Sequence, residues 1–252
     1  EFDTMRPSIL YGLLESLSYN YKRQLKDVKL FEIGKVFSIK DEKPFEEEAL
    51  AFVATGRESV NDYTDKRLTS FYTFKGVLEE LFERLGIKVR YEKSKIEGFV
   101  PTRFAVLRLS GDSEQKIGII GMVEPEVADK LFDVKDELYL AEIYIERLYN
   151  LGTKSSKYKL LPQFPYIRRD VSYLIPIGFE ISGLITIYEN NPLVEEVGID
   201  DIYREVGEGF YSVTIYAKFR HPERTLNDEE VDLTLEDIKK QINEKFGISP
   251  RF

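Results

Sequence analysis

The stretch Phe164-Pro165-Tyr166-Ile167-Arg168-Arg169-Asp170-Val171-Ser172-Tyr173-Leu174-Ile175 opens the part of the chain whose element order decides the fold. Its last six residues are rich in β-branched and aromatic side chains and predict a strand. Hydrophobic periodicity predicts the elements that follow. In order they are strand Asp170–Ile175, helix Ile181–Glu189, strands Val194–Val206 and Tyr211–Arg220, helix Leu235–Phe246 and a short tail, Ile248–Phe252. This β-α-β-β-α order predicts a ferredoxin-like, split βαβ domain.

The preceding residues predict a separate α+β domain with a largely antiparallel sheet. The first helix is expected to have Thr4 as N-cap, Pro7 in its first turn and an apolar stripe from Ile9 to Leu17. We expect Glu46-Glu47-Glu48 to be solvated. The other expected elements are strands Leu30–Phe37, Leu50–Thr55, Lys88–Tyr91, Phe104–Leu109, Ile117–Val123 and Leu138–Ile145, and helices Phe71–Leu85 and Pro125–Leu131.

A polar, aperiodic run, Gly152–Lys157, separates the two patterns and predicts the domain boundary. We therefore expect one domain over residues 1–150, a linker over 151–160 and a second domain over 161–252. The first residues resemble the interior of a longer protein, so Met5 need not be a start residue and the chain is expected to be an excised part.

Composition excludes several kinds of site. The 252 residues include no cysteine and one histidine, His221, which rules out thiolate catalysis and histidine-rich metal sites. His221 precedes a proline and is expected in a solvated turn. A net charge of −9 argues against indiscriminate nucleic-acid binding but permits a local basic patch. No apolar run approaches the roughly 20 residues that a membrane helix needs.

Motifs across the second domain carry a family resemblance. Phe164–Val171 resembles the Phe-Pro-x-x-x-Arg-Asp-hydrophobic opening of the ferredoxin-fold anticodon-binding domain. Asp201-Ile202-Tyr203 resembles that family's Asp-x-Tyr, and Ser212–Arg220 its Ser-hydrophobic strand. Arg224–Val231 is similar to its Arg-Thr-Leu-x-Asp-Glu-Glu-Val turn, and Gly247 and Arg251 also fit.

The first domain resembles the catalytic-like module of bacterial-type phenylalanine–tRNA ligase β subunits. The similar stretches are Met5–Leu14, Leu30–Phe37, Phe74–Val77 and Gly118–Val127. The resemblance implies a class II synthetase-like module followed by an anticodon-binding domain. It implies a cytoplasmic (αβ)₂ ligase in which the α subunit performs the ATP- and Mg²⁺-dependent reaction, tRNA(Phe) is bound, and this chain holds no cofactor or metal.

The arginines that class II catalysis needs are missing from the expected places. The glycine-rich Gly-x-Gly-x-Glu-Arg motif is absent, and Ser38–Glu42 supplies no arginine after the strand that ends at Phe37. One Arg-x-Glu, Arg90-Tyr91-Glu92, follows the second helix and is interpreted as a chance match. We therefore expect a scaffold without catalytic residues, although the ligase as a whole is an enzyme.

Cations and aromatic side chains of the second domain could bind RNA. The candidate tRNA-binding residues are Arg168, Arg169, Arg220, Arg224, Arg251, Tyr203 and Tyr216, drawn from a wider set that also includes Arg204, Lys218, Tyr173, Tyr211 and Phe219. Structural alternatives stay open: Arg169 could pair with Asp170, and Arg224 with Asp228 or Glu229. Thr225 and Asn227 could cap the last helix.

For the first domain, the helix Met5–Tyr21 and the sheet are expected to pack against α subunits. Tyr11, Tyr19 and Tyr21 are candidate contacts, or they pack only within the domain. The alternative function is a free-standing ferredoxin-like binding or regulatory module without catalysis. Such a module would have an open pocket between paired domains and would need no partner.

Overall fold

The computed structural model describes residues 4–59, 62, 64–110, 115–149, 162–204, 206–207 and 209–251. The chain divides into two compact units, Glu1–Lys157 and Tyr158–Phe252. The expected linker, 151–160, lies outside the described residues, so the domain limits stay a prediction. Among the described helices, none is both long and apolar enough to cross a membrane.

Unit 1 is built on a six-stranded antiparallel sheet with the strand order β1-β2-β6-β5-β4-β3. Its strands are β1 (Val28–Lys40), β2 (Lys43–Thr55), β3 (Val89–Lys93), β4 (Phe99–Leu109), β5 (Lys116–Val123) and β6 (Tyr139–Tyr144). Its helices are α1 (Leu10–Lys22), α2 (Phe71–Arg84), α3 (Pro125–Phe132) and the short α4 (Glu146–Tyr149). The α+β prediction is confirmed.

Helices cover both faces of this sheet. Helices α1 and α3 pack on one face, where Leu13, Leu17 and Ala128 meet the buried residues Val53 and Leu140. On the other face, α2 contributes Phe74, Leu78 and Phe82 to a second apolar cluster. Val77 and Leu81 of α2 and Leu85, its C-cap, are apolar too, but they are exposed or only partly buried. A helix that packs on a sheet buries the stripe nearest that sheet, so the edges of its apolar face remain open.

A long hairpin joins β1 to β2. Its two turn residues, Asp41 and Glu42, have φ angles of 49° and 60°, the left-handed conformation that two-residue hairpin turns require. Strand alternation buries Val28 and Val36 against α1. Phe31 and Ile33 share the opposite parity and are exposed, and Phe37 on the same side is partly buried.

The expected start of the first helix is wrong. Residues 4–9 lie outside the helix, which begins at Leu10. The buried carboxylate of Glu142, on β6, accepts hydrogen bonds from Ser8 Oγ at 2.8 Å and from the Ile9 N–H at 2.9 Å. Because a distant carboxylate satisfies these donors, neither Thr4 nor Pro7 marks the N-terminus.

The expectation that Glu46-Glu47-Glu48 is solvated is wrong for Glu47. All three residues lie in β2, and only 7% of Glu47 is exposed. Its carboxylate pairs with Arg147, which follows β6 in the short helix α4. A charged run in sequence can therefore contain one inward side chain when strand alternation directs it toward a cation.

Unit 2 has a three-stranded antiparallel sheet with the order β7-β9-β8. Its elements are β7 (Ile167–Pro176), α5 (Ser182–Glu189), β8 (Val194–Tyr203), β9 (Phe210–Phe219) and α6 (Asp228–Phe246). An isolated bridge between Tyr173 and Pro250 places the tail beside β7. The ferredoxin-like prediction is confirmed in order and pairing. Strand β8 ends at Tyr203, three residues before the predicted end, and α6 begins at Asp228, seven residues before the predicted start.

The core of unit 2 lies between the sheet and its two helices. Val171, Ile215 and Phe219 face Leu184 of α5 and Ile238 of α6. Within it, the hydroxyls of Tyr173 and Tyr188 hydrogen-bond to each other at 2.7 Å. Burial raises the pKa of Tyr173 to about 12, because the ionised phenol would lose its hydration.

Candidate nucleic-acid interface

One face of the unit 2 sheet is open among the residues that the structure describes. Alternation along β7 and β9 directs Tyr173 and Phe219 toward the helices, where both are fully buried. These two aromatic side chains are therefore unavailable for RNA stacking. The residues that alternate with these inward side chains along β7 and β9 face away from the helices. They include Arg168, Tyr216 and Lys218. The open face thus combines cations with an aromatic ring.

Arg168 lies on β7 and is tied to two carboxylates. Its Nε donates to Asp170 Oδ1 at 2.8 Å and its Nη2 to Asp200 Oδ1 at 2.5 Å. The guanidinium carbon lies 4.8 Å from the centre of the Tyr216 ring. Both carboxylates raise the pKa of Arg168, so it keeps its charge, but that charge is shared with Asp170 and Asp200.

Tyr216 lies against the sheet rather than projecting from it. A Cβ atom at Gly198, its partner on β8, would come within 2.7 Å of the ring, so only glycine leaves room for this orientation. The phenol donates to Glu196 Oε1 at 2.9 Å. One side of the ring therefore contacts backbone while Arg168 lies near it, and a stacking base would have to displace that guanidinium.

A second cation–aromatic group lies at the end of β9. The Lys218 ammonium and the Arg220 guanidinium lie 5.2 Å and 5.5 Å from the centre of the half-exposed Tyr166 ring. Lys218 donates to Glu196 and Arg220 to Glu195, both at 2.8 Å. The ion pair with Lys218 and the Tyr216 hydroxyl lower the pKa of Glu196. Arg220 Nε is buried and has no partner among the described residues.

Arg169 and Arg224 both form ion pairs, but with other carboxylates than the sequence suggested. Arg169 pairs with Asp228 and Asp232 of α6, and Asp170 pairs instead with Arg168. Residues adjacent on a strand point to opposite faces, so Arg169 and Asp170 cannot meet directly. Both cations are nonetheless held by carboxylates of the same unit.

Arg224 pairs with Glu230 rather than with Asp228 or Glu229. Its Nη1 and Nη2 donate to the two carboxylate oxygens at 2.8 and 2.6 Å. Asn227 is the N-cap of α6, as predicted, and Glu230 completes a capping box. Thr225 does not cap the helix, because it lies two residues before Asn227, the N-cap, whose side chain accepts the hydrogen bond from the first turn.

The remaining candidates are more open. Tyr203 is half-exposed at the end of β8, and Arg251 is exposed on the tail, where its N–H donates to Ser172 O at 2.6 Å. No carboxylate among the described residues pairs with the Arg251 side chain. His221 lies in a turn, partly buried, and its Nδ1 accepts a hydrogen bond from the Glu223 N–H.

In unit 1, the structure reveals a structural arginine that sequence reasoning missed. Arg147 lies in α4, three residues after the end of β6, and its guanidinium donates to the Glu47 carboxylate and to Lys116 O. The dipeptide Glu146-Arg147 after a strand was the available signal. Arg90 lies on β3, at the opposite edge of the sheet from β1, which agrees with a chance Arg-x-Glu match.

Comparison with known families agrees with this architecture. Residues 1–145 match the model described as the phenylalanyl tRNA synthetase beta chain CLM domain. The chain belongs to the phenylalanyl-tRNA synthetase beta chain family. Residues 162–251 of this family member match the ferredoxin-fold anticodon binding domain. Both resemblances stated from sequence motifs are thereby confirmed.

Two similar proteins are both phenylalanine–tRNA ligase beta subunits. The chain is 46% identical to the phenylalanine–tRNA ligase beta subunit of Thermotoga maritima and 33% identical to that of Geobacillus kaustophilus. These alignments cover 100% and 98% of this chain but 32% and 31% of the relatives. The chain thus spans about a third of their length. A pyrrolysyl tRNA synthetase of Desulfitobacterium hafniense aligns with 62% of this chain and 54% of its own, at 17% identity and a TM-score of 0.41, too low to bear on the fold.

Proposed function

We propose that this chain is a noncatalytic part of a phenylalanine–tRNA ligase β subunit whose unit 2 binds tRNA(Phe) near its anticodon. The observation that carries the proposal is the open sheet face on which Arg168, Lys218 and Arg220 surround Tyr216 and Tyr166. Cations near aromatic rings suit a single-stranded anticodon loop, because phosphates and unstacked bases are then recognised together. Membership of the family and the match to an anticodon-binding domain support it.

The carboxylates on this face limit how strongly it attracts RNA. Each of the three cations is paired with an acid of its own unit, so a phosphate must compete for the guanidinium or ammonium. We therefore infer modest affinity with local specificity, in keeping with the net charge of −9. Exposed Arg251 and Tyr203 extend the proposed contact set, and the paired Arg169 and Arg224 remain candidates.

The ATP- and Mg²⁺-dependent reaction is proposed to occur on the α subunit. The sequence motifs support this, because the Gly-x-Gly-x-Glu-Arg motif is absent and Ser38–Glu42 supplies no arginine after the strand that contains Phe37. The described residues also include no cluster of three acidic or histidine side chains that could hold a metal. We infer that this chain contributes position rather than chemistry.

The proposed partner of unit 1 is the α subunit, in an (αβ)₂ assembly in the cytoplasm. Helix α1 exposes Tyr11 and Tyr19 on its outer side, which suits an apolar interface. Tyr21, a third candidate from the sequence, is buried and donates to Asp136 at 2.7 Å, so it is excluded from the contact set. The alternative of a free-standing regulatory module is disfavoured by the family membership of unit 1.

The deciding experiment mixes this chain with the matching α subunit and with labelled tRNA(Phe). We expect α binding and a preference for tRNA(Phe) over a tRNA with another anticodon. Changing the anticodon loop of the tRNA should weaken its binding to this chain, whereas changing the acceptor stem should not. Loss of both α binding and tRNA preference would overturn the proposal. ATP–pyrophosphate exchange by this chain alone would contradict the noncatalytic assignment.

A further inference from the structure

The edge strand β3 of unit 1 takes no part in the proposed function. It pairs with β4 on one side, and no other strand of the described residues lies on its open side. The Ser110 N–H donates to Lys88 O at 2.9 Å, so the backbone of Lys88 is directed toward β4. Because this direction alternates along a strand, the N–H and C=O groups of Val89, Tyr91 and Lys93 are directed to the open side. An open strand edge of this kind can pair with another strand.

The side chains of β3 lie on two faces that differ in chemistry. Val89 and Tyr91 lie on the side of α2, where they pack against its apolar cluster. Arg90 and Glu92 lie on the opposite face, and both are exposed. Arg90 is directly opposite Arg108 of β4, and Glu92 forms an ion pair with Arg108. This face thus places two arginines beside one glutamate, an arrangement that a further carboxylate would stabilise.

The order of charges along β3 is complementary to itself. In an antiparallel pair of two copies centred on Tyr91, Arg90 of each copy is opposite Glu92 of the other, because the pair has two-fold symmetry. These are the positions without backbone hydrogen bonds, where opposite Cα atoms are about 4.5 Å apart and side chains meet most closely. Centring the pair on Arg90 or on Glu92 would bring like charges together. The charges therefore select one register.

A groove beside β3 offers complementary charge on the other face. It has a volume of about 360 Å³, and its lining includes Val89 and Tyr91 of β3 and Glu79 and Glu83 of α2. In the register centred on Tyr91, the exposed Lys93 of a second copy is opposite Val89, on the face that carries the groove. Two carboxylates at this groove suit the Lys93 ammonium. Both faces of β3 thus favour the same pairing.

We infer that unit 1 associates with a second copy of this chain by antiparallel pairing of β3 with β3 across a two-fold axis. Charged side chains on an edge strand oppose pairing where like charges meet, whereas this order brings opposite charges together. Because β3 has only five residues, the contact is small and the dimer is weak. The pairing uses no residue of the unit 2 sheet face, so it is independent of tRNA binding.

The test is sedimentation equilibrium of the full chain at concentrations up to about 1 mM, where weak dimers become populated. We expect a monomer–dimer equilibrium that weakens as salt is raised, since exposed ion pairs are screened. Amide exchange of Val89, Tyr91 and Lys93 should slow as the protein concentration rises, because their N–H groups become hydrogen-bonded. A monomer at every concentration overturns the inference. A dimer that leaves the exchange of these amides unchanged overturns the assignment to β3.

Charge reversal tests the register. Arg90→Glu and Glu92→Arg should each abolish the dimer, since each change places like charges opposite each other across the two-fold axis. An equimolar mixture of the two variants should dimerise, because every cross-strand pair then joins opposite charges. Lys240→Glu, which makes the same change of charge on α6, is the control and should leave self-association unchanged. A mixture that stays monomeric contradicts the pairing of Arg90 with Glu92.

A proline at Lys93 tests the backbone pairing without altering Arg90 or Glu92. The Lys93 N–H is directed to the open side, so Lys93→Pro removes no hydrogen bond to β4 but removes two from the dimer. We expect Lys93→Pro to weaken dimerisation about tenfold or more. Lys93→Ala removes the ammonium alone and should weaken it less. Dimerisation of Lys93→Pro as strong as that of the parent overturns the inference.

Discussion

Arg147 donates two hydrogen bonds to the Glu47 carboxylate, from Nε at 2.9 Å and from Nη2 at 2.5 Å. A third bond joins Nη1 to Lys116 O at 2.8 Å, and the guanidinium carbon lies 3.8 Å from the Tyr144 ring centre. The side chain thereby links α4 to β2 and to the start of β5. Three of the five guanidinium N–H groups are thus used within unit 1, so this arginine helps to hold the sheet together.

The first prediction follows from that pair. Arg147→Met should destabilise unit 1 by about 2 kcal/mol, because the nearly buried Glu47 carboxylate would lose its partner. The measurement is urea unfolding, with hydrogen exchange of β2 amides to assign the loss to unit 1. The double variant Arg147→Met/Glu47→Leu removes the orphaned charge and should recover part of the stability. If Arg147→Met alone is as stable as the parent, then water solvates the Glu47 carboxylate without loss of folding free energy, which contradicts the prediction.

A second prediction concerns the carboxylate that caps α1. Only 4% of Glu142 is exposed, and it accepts from Ser8 Oγ and from the Ile9 N–H. Glu142→Ala should cost about 1–3 kcal/mol, since two donors at the start of the helix would be left unpaired. Hydrogen exchange should show faster opening of the first turn of α1. Glu15→Ala, on the exposed side of the same helix, should leave that exchange unchanged.

The start of α1 also shows what sequence could and could not predict. The stripe from Ile9 to Leu17 predicts the helix and its buried face, because side-chain periodicity is a local property. Its true cap is 133 positions away in sequence from the donor it satisfies. Local rules instead favoured Thr4 and Pro7, which lie outside the helix. A cap from a distant residue depends on which strand lies beneath the helix end. A single sequence does not show that Glu142 of β6 lies close to Ile9 in space.

The same limit applies to the candidate interface. Motifs predicted the ferredoxin-like fold and identified Arg168 and Tyr216, which lie on its open face, and Arg220, which follows β9. They did not predict that Arg168 of β7 pairs with Asp200 of β8, 32 positions away, because β9 lies between these two strands in the sheet. Sheet register decides such pairs, and register depends on tertiary packing.

Asp200 provides a test of whether carboxylates compete with RNA for Arg168. If phosphate displaces Asp200 from the guanidinium, then Asp200→Asn should raise affinity for tRNA(Phe) by about two- to fivefold, the range of an exposed ion pair. Binding is measured by fluorescence anisotropy at fixed salt. Glu229→Gln on α6 changes net charge equally and lies on the helix side, so it is the control. An equal gain in both variants would assign the effect to net charge alone.

Arg251 is predicted to contact phosphate directly. It is exposed beside β7, and no described carboxylate holds its side chain. Arg251→Ala should therefore weaken tRNA(Phe) binding modestly and lower the salt slope of the binding constant by about one. Lys240→Ala removes another exposed cation, on α6, and should change the affinity and the salt slope less than Arg251→Ala does. A salt slope that stays constant in Arg251→Ala would remove this residue from the interface.

The last prediction is a pH dependence at the start of α6. Hydrogen bonds from Arg224 and then from the Asn227 N–H lower the pKa of Glu230 from 4.5 to about 2. Because the folded state holds the ionised form, the stabilisation is complete above pH 4.5 and is lost as the pH falls toward 2. The stability difference between the parent and Glu230→Gln should therefore shrink across that interval. Carboxyl ¹³C NMR gives the pKa directly, and urea unfolding at pH 7, 4 and 3 gives the stability. An unshifted carboxyl titration near 4.5 would show that Arg224 and Asn227 do not hold the ionised form in solution.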